Sequence, residues 1–379
     1  MALVWTEDQE LLREVARSFL EENTPISAFR ELRDEVDPDG FSRPLWQEMA
    51  ELGWAGIPFD ETYGGAGLGY TELGLVMQEC GRTLAATPLV GSVLLGGSAV
   101  ALAGDETQRE AILTPLCAGQ RLLTAALQEG PHHAPYRVAT RAKRDGTEWR
   151  LSGDKTFVID GHVADQLVVS ARVSGADGDR DGIGLFVVDA DAPGLSRSRR
   201  IMVDGRNAAE VSLRDVRVPA AAALGEPGQA ADTLDTLFDR AAACLCAEML
   251  GGIEVAFEKT IDFLKVREQF GVPIGSFQAL KHRAAKMFVE VELSKSVVLE
   301  ALQAVDAGGE DAARSVSVAK AKLGQTAQLV SSEGVQLHGG IGVTDEEDIG
   351  LFLKRARVQQ RTFGDTGFHR DRFATLGGY

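Results

Sequence analysis

Arg267 sits in the run richest in chemically useful residues, Val266-Arg267-Glu268-Gln269-Phe270-Gly271-Val272-Pro273-Ile274-Gly275-Ser276-Phe277-Gln278. A guanidinium beside a new helix N-terminus can hold a phosphate, because its fork of donors and the unsatisfied backbone N–H groups converge on one anion. The same run also reads as a helical-hairpin corner with a solvated arginine, Gly271 and Pro273 breaking the first helix and Ser276 capping the second. A second run, Gln336-Leu337-His338-Gly339-Gly340-Ile341-Gly342-Val343-Thr344, places three glycines directly after a helix. Glycines there let backbone amides approach a ligand closely. The alternative is a plain helix cap, with His338 as a hydrogen-bonded structural residue. Cys244-Leu245-Cys246 has neither the spacing nor the nearby His or Cys of a zinc site, so it reads as helix packing and no metal is expected.

These residues need elements to hold them. Thr6 and Gln9 form a capping box ahead of Leu11, Leu12, Val15, Ala16, Phe19 and Leu20, which recur at helical spacing until Pro25. Further helices are predicted over Arg43–Leu52 (Pro44 in its first turn), Thr71–Arg82, Pro88–Leu102 and Glu106–Cys117. Near Leu122 the pattern changes to short strands: Leu122–Leu127, Tyr136–Ala142, Trp149–Leu151, Phe157–Ile159, Leu167–Ala171, Ile183–Val188 and Val211–Val218. Asp145-Gly146 is a hairpin signal between two of them. Strands this closely spaced, with no helix between, predict an antiparallel sandwich or barrel rather than βαβ units, and no G-x-G-x-x-G follows a strand. After Pro219 long helices return, over Ala230–Gln269, Phe277–Ala307, Asp311–Leu337 and Glu346–Thr362, which predict a bundle with an oligomer face. The expected fold is α+β, mostly α. It comprises an N-terminal helical domain (1-121), a middle antiparallel β-sandwich or barrel domain (122-219) and a C-terminal four-helix bundle (220-379).

Composition narrows the function classes. The 379 residues are 44% hydrophobic and 25% charged, which is globular, and 56 acidic residues against 39 basic ones give a net charge of −17. That surplus argues against nucleic acid as a partner. Pro88 to Gly104 is the longest weakly polar run and reads as a buried helix, so no membrane span is expected. Four cysteines are too few for a disulfide framework, and Met1-Ala2-Leu3-Val4-Trp5 starts no basic-then-apolar leader. The expected location is cytoplasmic.

Four motifs then stand in register over about 300 residues: R-x-Q-F-G-x-P-I-x-x-F-Q from Arg267, Q-x-x-G-G-x-G-x-T from Gln336, Tyr63-Gly64-Gly65-Ala66-Gly67-Leu68-Gly69, and Leu151-Ser152-Gly153-Asp154-Lys155. In this the chain resembles the acyl-CoA dehydrogenase family over essentially its whole length. The resemblance implies FAD as cofactor and an acyl-CoA thioester as substrate. It also implies an electron-transfer flavoprotein or similar acceptor, and a homo- or hetero-oligomer built as a dimer of dimers. It further implies that Arg267 meets the FAD diphosphate with Phe270 and Gln278 beside it. Gln336, Gly339 and Gly340 serve the same FAD from an adjacent subunit, and Gln78, Leu127 and Phe157 lie near the flavin ring or the substrate.

The family's chemistry takes an α-proton to a carboxylate and passes the β-hydride to flavin. Neither expected base position is acidic. One is Phe363, followed by Gly364 and Asp365; the other, 26 residues before Arg267, is Ala241. The flavin loop reads Gln128-Glu129-Gly130-Pro131-His132-His133-Ala134-Pro135, without the family's Ser and Asp, and Ile159 replaces a threonine that donates to flavin. Glu248 lies seven residues beyond Ala241, about 11 Å along a helix, and reads either as a relocated base or as a paired structural residue. Asp239, Asp365, His132 and His133 are weaker candidates. Three readings follow. The chain is a base-lacking subunit of a heteromeric enzyme acting on fatty acyl or steroid side chains, a homo-oligomeric flavoenzyme with a relocated base or another reaction, or a non-enzymatic scaffold.

Overall fold

The computed structural model describes residues 4–309 and 311–379, so the reading of Met1-Ala2-Leu3 falls outside the described residues. In chain order come α1 (Glu7–Asn23), α2 (Ile26–Asp34), α3 (Arg43–Glu51), α4 (Tyr70–Thr83), a π-helical stretch (Leu89–Gly97), α5 (Ser98–Ala103) and α6 (Glu106–Cys117). Strands follow: β1 (Leu123–Ala126), β2 (Arg141–Asp145), β3 (Glu148–Ile159), β4 (Gln166–Arg172), β5 (Ile183–Asp189), β6 (Leu195–Ile201), β7 (Asn207–Pro219) and β8 (Ala223–Gly228). The last third holds α7 (Ala231–Val266), the two-residue strands β9 (Glu268–Gln269) and β10 (Val272–Pro273), α8 (Gln278–Ala307), α9 (Asp311–His338), α10 (Ile349–Arg361) and α11 (Thr366–Leu376). The order helical, β, helical is the expected one. Among the described residues no helix is long and apolar enough to cross a membrane.

Several boundaries differ for physical reasons. Pro25 does end α1, but α2 starts directly after it. Pro88–Leu102 is not one α-helix. Ser92 is bonded through its Oγ to both the N–H and the carbonyl of Leu123, and Ser98 Oγ donates to Val93 O one wide turn back, which suits π-type winding. The expected strand at Tyr136–Ala142 lies instead at Arg141–Asp145, and Trp149–Leu151 and Phe157–Ile159 are parts of one strand, β3. Helix α7 stops at Val266 instead of Gln269, because the next residues pair as a hairpin. Ser276 does not cap α8; Phe277 occupies that position and no side chain bonds there.

Compactness divides the chain into two units: Met1–Glu31, Tyr70–Ala85 and Ala242–Tyr379 form one, Leu32–Gly69 and Ala86–Ala241 the other. The second unit holds one eight-stranded sheet, ordered β6-β7-β3-β2-β4-β5-β8 with β1 on β4. Its pairings are antiparallel except β1 with β4 and the single pair Arg141 with Arg172. The Asp145-Gly146 signal is a tight hairpin in which Asp145 faces Glu148. Trp149, Leu151, Phe186, Val211 and Leu213 fill the core on one face.

In the first unit, α4 and α7 cross at backbone contact. A Cβ on Gly81 would lie 2.0 Å from Glu248 O, and one on Gly251 1.8 Å from Gln78 O. Glycine is therefore required at both positions. Gly251→Ala should cost about 3 kcal/mol, since backbone rather than a flexible side-chain tip must yield; a lowered urea midpoint in the purified protein checks it.

Candidate functional site

The Arg267 corner lies in the first unit, where α7 ends. Its N–H donates to Phe263 O at 2.9 Å and its carbonyl accepts from Ile274 N at 2.7 Å. These two bonds fix the backbone while the side chain stays exposed, and the guanidinium has no hydrogen bond or ion pair among the described residues. Between β9 and β10 stand Phe270 and Gly271 with φ of 57° and 80°. Positive φ at both central residues is the pattern of a mirror-image hairpin turn. Glycine takes it freely, whereas phenylalanine pays about 1–3 kcal/mol of backbone strain. Phe270 is 92% exposed and meets the Phe277 ring edge-on, with ring centroids 6.1 Å apart.

The glycine run reaches the same end of that unit. His338 closes α9, and its Nδ1 donates to Gly334 O at 2.7 Å, which fixes the proton on that nitrogen since a carbonyl only accepts. Its ring stacks on Phe263, one turn before Arg267, with centroids 4.4 Å apart. Gln336, Gly339 and Gly340 are exposed, and a Cβ placed on either glycine would meet nothing within 4 Å. The two runs are linked by this Phe263–His338 contact, and exposed Gln278 opens α8.

Leu127 and Phe157 lie in the second unit. Leu127 is buried; Phe157 is half-buried at a bulge of β3, with φ of 53°. Beside them the altered loop is firmly held. Thr156 N donates to Gln128 O at 2.8 Å. Glu129 accepts from Ala139 N at 2.6 Å and from Lys155 Nζ at 2.6 Å, and the same ammonium donates to Ser170 Oγ at 2.9 Å. His132 is exposed, and His133 packs edge-on against Phe238. Burial pushes the Lys155 ammonium down to about 8 despite Glu129. Burial also works against the Glu129 charge, but Lys155, Thr140 and Ala139 outweigh it and hold the carboxyl below its ordinary range.

Neither expected base position can ionise. Ala241 is fully buried in the second unit, and Phe363 in the first is 8% exposed with φ of 58°. The turn at Phe363 is clamped. His369 Nε2 donates to Phe363 O at 2.9 Å, and the buried Lys320 Nζ donates to Gln359 O, Gln360 O and Gly364 O at 3.0, 3.3 and 2.8 Å. Glu248 is fully buried, and its Oε1 meets Arg355 Nη1 at 3.1 Å. Asp365 caps α11 through Phe368 N and pairs with Arg361 at 2.9 Å. Gln78, on α4, donates to Glu254 at 2.9 Å. Cys244 and Cys246 are buried free thiols.

Among the described residues, three of the seven non-glycine residues with positive φ are Phe157, Phe270 and Phe363, all singled out from the sequence. Sequence reasoning missed Lys320, His369 and Arg355. Lys320 carried no signal, because only burial separates it from neighbouring Lys322.

Burial also brings a pH dependence. Lys320, like Lys155, is pushed down to about 8 from an ordinary 10.5. Above 8 the unfolded chain holds more protons at these lysines, so stability rises with pH and is lost as pH falls through 8. Above about 9 the buried thiols Cys117 and Cys246, pushed up to about 11 and about 12, act in the opposite sense. The unfolding midpoint should therefore rise between about pH 8 and 9, and Lys320→Met should flatten that rise; a midpoint falling through this window in the unmodified chain contradicts it.

The chain matches three domain profiles of one family. Residues 6–120 match the profile of the acyl-CoA dehydrogenase N-terminal domain, 129–216 that of the middle domain and 231–375 that of the C-terminal domain. The chain is 30% identical over 374 residues to the probable acyl-CoA dehydrogenase YngJ of Bacillus subtilis, covering 96% of each. A variant of the Tcur3481-Tcur3483 steroid ACAD superposes with a TM-score of 0.88 at 32% identity, covering 98% of each chain. The ChsE4-ChsE5 complex of Mycobacterium tuberculosis does so at 0.89 and 26%, covering 100% of this chain and 99% of that one. With three domain profiles in order and relatives matched end to end, the chain belongs to the acyl-CoA dehydrogenase family.

Proposed function

We propose that this chain is a base-lacking subunit of a cytoplasmic heteromeric acyl-CoA dehydrogenase, arranged as three domains (1-121, 122-219, 220-379) within a dimer of dimers. The observation that carries the reading is the side chain at the two base positions, Phe363 and Ala241, combined with the ion pair that occupies Glu248. The Tcur3481-Tcur3483 and ChsE4-ChsE5 relatives, whose names pair two components, support it.

The residues present fit one end of FAD better than the other. Arg267 has no protein partner among the described residues, and open space lies over Gly339 and Gly340. Such a corner suits a diphosphate, with Gln336 and Gln278 as further donors and Phe270 as an apolar neighbour. The ring end is poorer: Phe157 and Leu127 offer apolar cover, but Ile159 and the Gln128–Pro135 loop bring no hydroxyl donor. When bound, FAD accepts the β-hydride of an acyl-CoA thioester and passes the electrons to an electron-transfer flavoprotein or similar acceptor. In this reading Arg267 and the Gly339-Gly340 backbone hold the cofactor's charge, Glu129 and Lys155 fix the loop beside Phe157, and the α-proton goes to a carboxylate of the second subunit.

Purification of the chain alone and with a co-expressed acidic-base homologue tests this. Flavin bands and thioester oxidation are expected only from the pair. Tight FAD binding with acyl-CoA dehydrogenation by the lone chain would overturn it, and loss of that turnover in Glu248→Gln would then move the base to Glu248.

A further inference from the structure

The first unit contains a half-open cavity of about 350 Å³, lined in part by Gln78, whose amide is held by Glu254. Its walls come from α1 (Arg13, Arg17), α4 (Arg82), α7 (Glu254, Glu258) and α8 (Lys295, Ser296), with Trp5 at the rim. Buried Leu250, Val298 and Leu299 form an apolar floor. The volume falls within the range of small-molecule sites, which typically combine an apolar lining with a few convergent polar groups.

The charges around this floor are unevenly committed. Glu79 takes the Arg17 fork through two bonds of 2.9 Å each. Glu254 accepts from Gln78 at 2.9 Å and faces Arg82 and Lys295, each at 3.5 Å. Glu258 pairs with Arg82 at 2.9 Å, and Lys295 also pairs with Glu292 at 2.7 Å. Every carboxylate named here is therefore engaged by a cation. Among the described residues, the half-buried Arg13 guanidinium and the Ser296 hydroxyl have no partner.

We propose that this cavity binds a small organic carboxylate with an apolar body. The body would lie on Leu250, Val298 and Leu299 against the Trp5 ring, and the carboxylate would take the Arg13 fork and the Ser296 hydroxyl. A cation is excluded by chemistry, since no carboxylate here is left to receive one. A neutral ligand would leave the guanidinium unanswered, whereas a carboxylate matches its paired donors.

The test is calorimetric titration of the full-length protein, as its natural assembly, with sodium 3-phenylpropionate, using 3-phenylpropionamide as the neutral control. Saturable 1:1 binding of the acid is expected, with the amide at least about tenfold weaker. Arg13→Gln should weaken the acid about tenfold or more. Ser296→Glu, an exposed position that puts a carboxylate into the cavity, should abolish binding while leaving the unfolding midpoint unchanged. The proposal fails if no saturable binding occurs, if acid and amide bind alike, or if both variants bind as the parent does. None of these outcomes depends on flavin content or turnover.

Discussion

Arg355→Met should lower the unfolding free energy by about 3–5 kcal/mol, read as a drop in urea midpoint at unchanged slope. The arginine side chain is 4% exposed and its partner Glu248 is 0% exposed, with 3.1 Å between them. The guanidinium also lies 5.8 Å from the Phe29 ring centre. Methionine fills much of the same volume, so the loss is chiefly electrostatic: the buried carboxylate loses the Arg355 charge beside it. Joint replacement, Arg355→Met with Glu248→Leu, should recover most of the loss, because removing both charges also removes the cost of burying them. A single variant within about 1 kcal/mol of the parent would show that Glu248 does not depend on Arg355, and would return it to the candidate bases.

Arg267→Glu should reduce flavin retained by the assembled enzyme at least tenfold, roughly 1.4 kcal/mol or more of binding. The measure is flavin-to-protein ratio after gel filtration. The substitution sets a negative charge where a diphosphate is proposed, at a corner already fixed through backbone bonds to Phe263 and Ile274. Since the guanidinium has no protein partner among the described residues, the unfolding midpoint should not move. Arg267→Lys should keep part of the retention, having the charge without the planar fork. Unchanged retention in Arg267→Glu would mean that this arginine meets no phosphate.

Sequence patterning carried much of this fold. The Thr6–Gln9 capping box, the hairpin after Asp145 and the span Glu106–Cys117 stand where residue types alone put them. What escaped it lacked an apolar period. Strand β6, Leu-Ser-Arg-Ser-Arg-Arg-Ile, lies at the sheet edge and alternates serine with arginine. Helix α11 buries only His369 and shows almost no apolar face. Strand β2 buries only Ala142. The candidate site residues were chosen by type and spacing, but two of their structural properties could not be read that way. The left-handed backbone at Phe157, Phe270 and Phe363 leaves no mark in residue type, and Glu248 reads as an acid until Arg355, 107 positions away, is found beside it.

The interleaved division of the chain has a consequence for its synthesis. Helix α4 buries Leu73, Leu75, Val76 and Met77 within a unit whose remaining bulk begins at Ala242. On the ribosome, about 160 residues must still be made after α4 emerges, which takes roughly 10–30 s at common elongation rates. For that time α1 can cover only part of the exposed face. A product that terminates before α7 and α8 cannot complete the first unit.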